Sequence, residues 1–205
     1  MGKIGIMGGT FDPIHNGHLM LGEQAYDEYR LDEVWFMPSG HPPHKKRRQV
    51  TEPKHRLAMT AAAVKYHPGF SCSDFEVVRE GNTYTAQTLK LLLESYPEHT
   101  YYFIVGADSL YEIEKWYEPE LVLKLAVILA APREYEVKER SLDEQIDYLC
   151  RKYDADIRML HCKEMDISSA ELRNMVSNGE SIDPYVPEVV NKYIQDHGLY
   201  QEIEA

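Results

Sequence analysis

Two histidines three residues apart, His15 and His18, follow a pair of glycines, Gly8-Gly9, that closes the apolar run Lys3 to Met7. The run reads as a buried parallel strand, and Leu19 to Tyr29 has the composition of a helix. Glycines at a strand end let the backbone pass close to a bulky anion. A helix N-terminus adds free N–H groups and the positive end of its dipole. The order strand, Gly-Gly, helix therefore predicts a phosphate cradle, and the spacing of the two imidazoles, if helical, puts them on one face. Three readings follow. The histidines could be satisfied by neighbours on a helix face, could ligate zinc, or could donate hydrogen bonds to phosphate oxygens as charge builds in a transition state. No Cys/His pair of suitable spacing completes a tetrahedral zinc site, and the adjacent glycines favour the phosphate reading.

Such a cradle needs a scaffold, and the rest of the chain alternates between strand-like and helix-like segments. Val34 to Pro38 is strand-like. Glu52 to Lys65 is helical, with Thr51 as its expected N-cap and Pro53 near the first turn. Phe70 to Val78 alternates as a strand with one exposed face, and Thr85 to Ser95 is a helix. Tyr101 to Val105 is a β-rich run ending at Gly106, followed by a helical Ser109 to Glu118. Ala126 to Ala131 is an apolar strand closed by Pro132. Leu142 to Tyr153 is helical and Ile157 to Leu160 strand-like. Helices at Ser169 to Ser177 and Pro187 to His197 complete the pattern, with Gly198 as a stop. Strands separated by helices imply parallel βαβ units with right-handed crossovers. The expected fold is α/β, a single Rossmann-like doubly wound domain over residues 1–205 with a mostly parallel sheet. Its ligands should gather outside the carboxyl ends of the strands. The motifs recur there: Gly8 after the first strand, Ser39 to Lys45 after the second, Gly106 to Asp108 after the fourth, and Pro132-Arg133 after the fifth.

Composition narrows the function. A chain of 205 residues suffices for one well-buried α/β domain, and 43% hydrophobic residues is ordinary for a globular protein. There is no signal-peptide pattern and no apolar run of membrane-spanning length, so no membrane partner is expected. Cys72, Cys150 and Cys162 are isolated and odd in number, as reduced thiols in a cytoplasmic protein would be. A net charge of −12 disfavours nucleic acid as a partner. Against that acidic background, His44-Lys45-Lys46-Arg47-Arg48 concentrates positive potential. It reads either as a solvated turn or, given its place after a strand, as a phosphate-collecting loop. No G-x-x-x-x-G-K-[ST], G-x-G-x-x-G or G-x-S-x-G string occurs, which disfavours P-loop kinases and ATPases, dinucleotide dehydrogenases and α/β-hydrolases.

Four further segments could act on a nucleotide. In Ile167 to Arg173, Ser168 or Ser169 is a natural N-cap and Arg173 falls about one turn into the helix, where its fork can engage two phosphate oxygens. A capped helix with a surface arginine is the alternative. Asp108 could cap the helix beginning at Ser109 or accept hydrogen bonds from ribose hydroxyls, and both roles are compatible. Trp116 is either core or an aromatic face for a planar ring. Asn82 to Thr85 opens a helix whose free N–H groups could receive a carboxylate.

His15-Asn16-Gly17-His18 resembles the T/H-x-G-H signature of the nucleotidyltransferase superfamily. The fuller string GGTFDPIHNGHL resembles that of its bacterial nicotinate-nucleotide adenylyltransferases. Pro42-Pro43-His44-Lys45, Gly106-Ala107-Asp108, Lys115-Trp116-Tyr117, Ile167-Ser168-Ser169 with Arg173, and His197-Gly198-Leu199-Tyr200 agree in order, so the resemblance spans most of the chain. It implies adenylyl transfer from ATP to nicotinate mononucleotide, giving deamido-NAD and pyrophosphate, with Mg2+ accompanying ATP and no protein cage for a metal. It implies that His15, His18, Lys45 and Arg173 carry catalysis. It implies nucleotide or substrate contacts for Gly8, Gly9, Thr10, Phe11, Ser39, His44, Gly106, Asp108, Arg133, Ile167, Ser168 and Ser169. Trp116, Tyr117 and Thr85 would meet the nicotinate. It leaves room for a homo-oligomer. Three departures stand out: Ala170 replaces a Thr or Ser in the second phosphate motif, Leu172 replaces Ile, and Pro132-Arg133 reverses the usual order. The competing readings are a related transferase acting on phosphopantetheine, a non-catalytic nucleotide sensor, and an RNA-binding relative of class I tRNA synthetases.

Overall fold

The computed structural model describes residues 1–41, 50–132, 140–162 and 167–201. The basic cluster with His44 and Lys45, and also Arg133, lie outside the described residues. Six strands form one sheet: β1 (Lys3–Gly9), β2 (Glu33–Pro38), β3 (Phe70–Cys72), β4 (Thr100–Gly106), β5 (Val127–Ala131) and β6 (Ile157–Met159). Their order is β3-β2-β1-β4-β5-β6, and every pairing is parallel. The helices are α1 (Asn16–Glu28), α2 (Pro53–Val64), α3 (Thr85–Ser95), α4 (Ala107–Glu112), α5 (Pro119–Leu125), α6 (Leu142–Tyr153), α7 (Ser169–Ser177) and α8 (Glu188–Asp196). A 3₁₀ turn over Ile113–Lys115 joins α4 to the segment holding Trp116.

Parallel strands buried on both faces must be apolar throughout, and their side chains alternate between two cores. In β4, Tyr101, Phe103 and Val105 enter one core with Ile4, Ile6, Leu89 and Ile128. Tyr102 and Ile104 enter the other with Met7, Phe36, Leu129, Leu172 and Val190. The chain thus runs outward from β1 in one direction and from β4 in the other, so the crevice between their carboxyl ends is the switch point where ligands bind in doubly wound sheets. Among the described residues no helix is long and apolar enough to cross a membrane.

The structure departs from the sequence expectations at four places. Strand β3 ends at Cys72, because the chain turns once Ser73 has bonded the Phe36 carbonyl (2.9 Å) and the Val78 N–H closes on Asp74 (3.1 Å). The alternation beyond it comes from Glu76 pointing inward to accept the Thr88 hydroxyl at 2.6 Å, not from a strand. The helix expected over Ser109 to Glu118 breaks into α4 and the 3₁₀ turn, and Glu118 takes a left-handed φ of 48°. Pro119 then starts α5, which the sequence reading lacked, because proline is compatible with a first helical turn. Thr51 does not cap α2: Glu52 is the cap residue, without a side-chain bond, and the Thr51 N–H goes to Asp12 instead (3.1 Å).

Candidate active site

A cavity of about 450 Å³ opens at the β1/β4 switch point. Gly8 reaches it from the end of β1, His15 and His18 from the start of α1, Gly106 and Asp108 from the end of β4, and Trp116 from the turn beyond α4. Ile167, Ser168, Ser169 and Arg173 close it from the start of α7. Residues up to 166 positions apart in sequence (Met7 and Arg173) therefore share one cavity.

The two histidines do not share a helix face in the simple way their spacing suggests. His15 is the N-cap of α1, in extended conformation, and His18 is the third residue of the helix. Their rings lie 3.7 Å apart between centroids, inclined by 33°. The His15 backbone N–H donates to His18 Nδ1 at 3.3 Å. A neutral His18 then carries its proton on Nε2, which is the form needed to donate to an oxygen anion. Phe11 props this ring edge-on at 5.0 Å. It is 2% exposed and held at a left-handed φ of 48°, a conformation that a bulky residue keeps only when its surroundings enforce it. Phe11 is thus a support beneath the histidines and does not line the cavity. Thr10 and Gly9 serve the same loop by backbone: the Thr10 carbonyl accepts from Arg56 (2.7 Å) and the Gly9 carbonyl from the Ser39 N–H (2.8 Å). The Ser39 hydroxyl has no hydrogen-bond partner among the described residues.

On the β4 side, the Asp108 carboxylate folds back over Gly106: a Cβ there would lie 2.6 Å from Asp108 Oδ1 and would push that carboxylate aside. Asp108 sits in the first turn of α4, where the helix dipole favours its charge, and it faces the cavity. Trp116 packs edge-on against Phe103, with centroids 6.2 Å apart. Tyr117 is 46% exposed and lies 4.6 Å from the Tyr84 ring. Tyr84 precedes Thr85, the first residue of α3, and provides no side-chain cap. The start of α3 therefore adjoins the Trp116 rim, although Thr85 does not line the cavity itself.

Helix α7 meets the histidine loop directly. The Ser169 hydroxyl donates to the Pro13 carbonyl at 2.9 Å, and Arg173 Nη1 donates to the Asp12 carbonyl at 2.7 Å and the Ser169 carbonyl at 3.1 Å. Both bonds use Nη1, and the rest of the guanidinium, on the cavity wall, has no other hydrogen bond among the described residues. Three residues that motif reading overlooked emerge here. Phe103 lines the cavity, and Asp12 and Arg56, both buried, brace the loop. Asp12 stood within the recognised string, but nothing in residue type alone distinguishes a brace from a ligand contact.

A doubly wound parallel sheet with paired imidazoles and an arginine at its switch point defines a nucleotidyltransferase-type site, and the Cytidylyltransferase-like family model matches residues 6–175. Among curated proteins, a probable nicotinate-nucleotide adenylyltransferase of Lachnoclostridium phytofermentans is 46% identical over 98% of this chain and 100% of its own length. One from Thermoanaerobacter sp. is 42% identical over 98% of this chain and 96% of its own. The chain belongs to this adenylyltransferase family. The fold is also that of Plasmodium falciparum nicotinic acid mononucleotide adenylyltransferase complexed with NaAD, with a TM-score of 0.80 at 22% identity over 98% of both chains.

Proposed function

We propose that this protein transfers the adenylyl group of ATP to nicotinate mononucleotide, forming deamido-NAD and releasing pyrophosphate. The observation that carries it is the convergence of His15, His18 and Arg173 on one cavity at the β1/β4 switch point. A 5′-phosphate oxygen of the mononucleotide attacks the α-phosphorus of ATP in line. The new P–O bond forms as the bond to the β-phosphate oxygen breaks, and pyrophosphate leaves with that electron pair. No protein nucleophile is needed, so the enzyme acts by positioning and by stabilising charge.

In this reading His18 Nε2–H and His15 donate to the α-phosphate oxygens, and Arg173 with the α7 start holds the leaving pyrophosphate. Asp108 accepts from ribose hydroxyls, with Gly8 and Gly106 giving the nucleotide close access to the strand ends. Trp116 stacks on the pyridine ring beside Tyr117, and the uncapped α3 start at Thr85 receives the carboxylate. Lys45, with His44, and Arg133 are assigned to substrate phosphates on their sequence positions. Ser39 offers its buried hydroxyl at the rim. Thr10 and Phe11 are assigned supporting contacts in the same loop.

Transferases of this kind generally use a divalent metal. Among the described residues no group of three His, Cys, Asp or Glu side chains could hold one, and Asp108 is the acidic side chain on the cavity wall. This donor set fits Mg2+ carried in by the triphosphate and keeping most of its waters. Bound there, it would neutralise the phosphate charge. We further propose one domain spanning residues 1–205 and a cytoplasmic location, in keeping with the substrates and the isolated cysteines.

The test is pyrophosphate release with ATP and Mg2+, offering nicotinate and nicotinamide mononucleotides in parallel. Strong preference for the acid is expected, because helix N–H donors match a carboxylate and leave an amide NH2 unpaired. Trp116→Ala should raise KM for the mononucleotide about 10-fold, as loss of ring stacking worth about 1.5 kcal/mol requires. Release with phosphopantetheine instead would overturn the substrate assignment.

A further inference from the structure

Arg56, in α2, is completely shielded from solvent. A buried guanidinium is costly unless its N–H groups are taken, and burial pulls its pKa below the ordinary value despite the opposing charge of Asp12. Its bonds are spread over three segments. Nε donates to the Thr51 carbonyl (2.9 Å), Nη1 to the Thr10 carbonyl (2.7 Å) and Nη2 to the Gly40 carbonyl (3.1 Å). Thr10 belongs to the histidine loop, Gly40 follows β2, and Thr51 precedes α2. Gly40 is itself pressed against backbone, since a Cβ there would lie 2.4 Å from the Glu76 carbonyl oxygen.

Asp12 completes the arrangement. It is 2% exposed, and its Oδ1 accepts the Tyr200 phenol at 2.7 Å while Oδ2 accepts the Thr51 N–H at 3.1 Å. Its backbone carbonyl accepts from Arg173 at 2.7 Å. One residue therefore ties the histidine loop to the pyrophosphate-holding arginine, to the α2 entrance and to a tyrosine 188 positions away near the C-terminus. The guanidinium thus ties the histidine loop, whose His15 and His18 line the cavity, to the segment after β2 and to the entrance of α2.

We infer that Arg56 and Tyr200 are positioning residues for the transfer, acting through Asp12 and Thr10 to hold His15 and His18 in fixed register with Arg173. The assignment rests on adenylyl transfer at this cavity. Neither side chain touches the reacting phosphates. Each acts by keeping the group on the α-phosphate and the group on the leaving pyrophosphate in one geometry, where a misplacement near 1 Å costs on the order of 100-fold in rate.

Two substitutions test it. Arg56→Lys keeps a positive charge but has no fork to reach three carbonyls. Tyr200→Phe removes one oxygen and leaves Asp12 its bond from Thr51, so it should fold even if Arg56→Lys does not. kcat and both KM values are measured well below each variant's melting temperature, with His18→Ala as reference. We expect kcat to fall about 30-fold or more for Arg56→Lys and about 3–10-fold for Tyr200→Phe, with KM for ATP raised and KM for nicotinate mononucleotide within about twofold of wild type. That split is one that general loss of stability would not produce. Full kcat and unchanged KM values in Tyr200→Phe, with only a lowered melting temperature, would overturn the assignment and leave the brace structural. Turnover retained in His18→Ala would overturn the reading of the cavity, and the assignment with it. Turnover lost there but intact in both brace variants would overturn the assignment alone.

Discussion

Helices α1 and α7 begin against the same cavity, and a reciprocal box closes each first turn, but the two boxes are built from different groups. The cap of α1 is a histidine, its first turn holds no acidic residue, and the N–H of that cap is taken by the His18 imidazole. The cap of α7 is Ser168, locked with Glu171 in a reciprocal box. The Ser168 hydroxyl accepts the Glu171 N–H (3.2 Å), while the Glu171 carboxylate accepts the Ser168 N–H (2.7 Å) and its hydroxyl (2.6 Å). A helix N-terminus attracts an anion through its free N–H groups and dipole, but at α7 an internal carboxylate already occupies that role. The first helix is therefore closed by imidazoles, groups able to donate to an anion, and the second by a carboxylate, which leaves mainly Arg173 for that task. Ser168 and Ser169 are spent on capping and on the Pro13 carbonyl. The missing hydroxyl at Ala170 then matters less than motif comparison suggests.

The sharpest way to break this contrast is at α1. His18→Ala should cut kcat by about 100- to 1,000-fold, the usual cost of one preorganised donor to a developing oxyanion, with the fold intact by circular dichroism. A near-normal rate would end the distinction. Arg173→Ala should lose about 100-fold in kcat/KM for ATP, because it removes a charge-assisted fork worth about 3 kcal/mol, while Arg173→Lys recovers only part of it. Glu171→Gln sharpens the comparison from the other side. Glutamine still fits the box, so stability should change by less than about 1 kcal/mol. Removing a negative charge beside the triphosphate should lower KM for ATP about 2–3-fold. A raised KM would mean that the carboxylate belongs to the binding machinery.

The smallest effect is a control on a helix remote from this chemistry. Ser141 and Glu144 form the same box at α6, and the bond from the Ser141 N–H holds the Glu144 carboxyl below its ordinary value of 4.5. A depressed carboxyl pKa contributes stability that is present above the unfolded value and is lost as pH falls through the folded one. Glu144→Gln should therefore flatten the acid limb of a melting-temperature profile below about pH 4.5 and change little at pH 7. An unchanged acid limb would show that the box carries no stability in this chain.

Most of the scaffold could be read directly, and the failures have local causes. The helices Thr85–Ser95, Leu142–Tyr153 and Ser169–Ser177 coincide with their expected spans, because each has a strong apolar period and clear ends. Inward-facing Glu76 imitated strand alternation after Cys72, and Pro119 hid the start of α5. Among site residues, Gly8, His15, His18, Gly106, Asp108, Trp116, Ile167, Ser168, Ser169 and Arg173 share the cavity, although only Gly8, Gly106 and Asp108 were expected at strand ends. Gly9, Thr10, Phe11, Ser39, Thr85 and Tyr117 stand behind or beside it, because a motif conveys nearness in sequence but not the direction in which each side chain points.

Residue type, spacing and hydrophobic period were enough to assign the class of fold and to put His15 and His18 at the start of a helix after a Gly-Gly strand end, since these depend on contacts within a few residues. The division of labour within the motifs needed the folded chain. That His18 is oriented by the His15 N–H, that Phe11 is a prop, that Ser168 is occupied by Glu171, and that Arg56 and Tyr200 brace the loop from 46 and 188 residues away all depend on which backbone carbonyls and carboxylates meet in space. Buried polar groups must find partners, and the partners nearest in space were far apart along the chain.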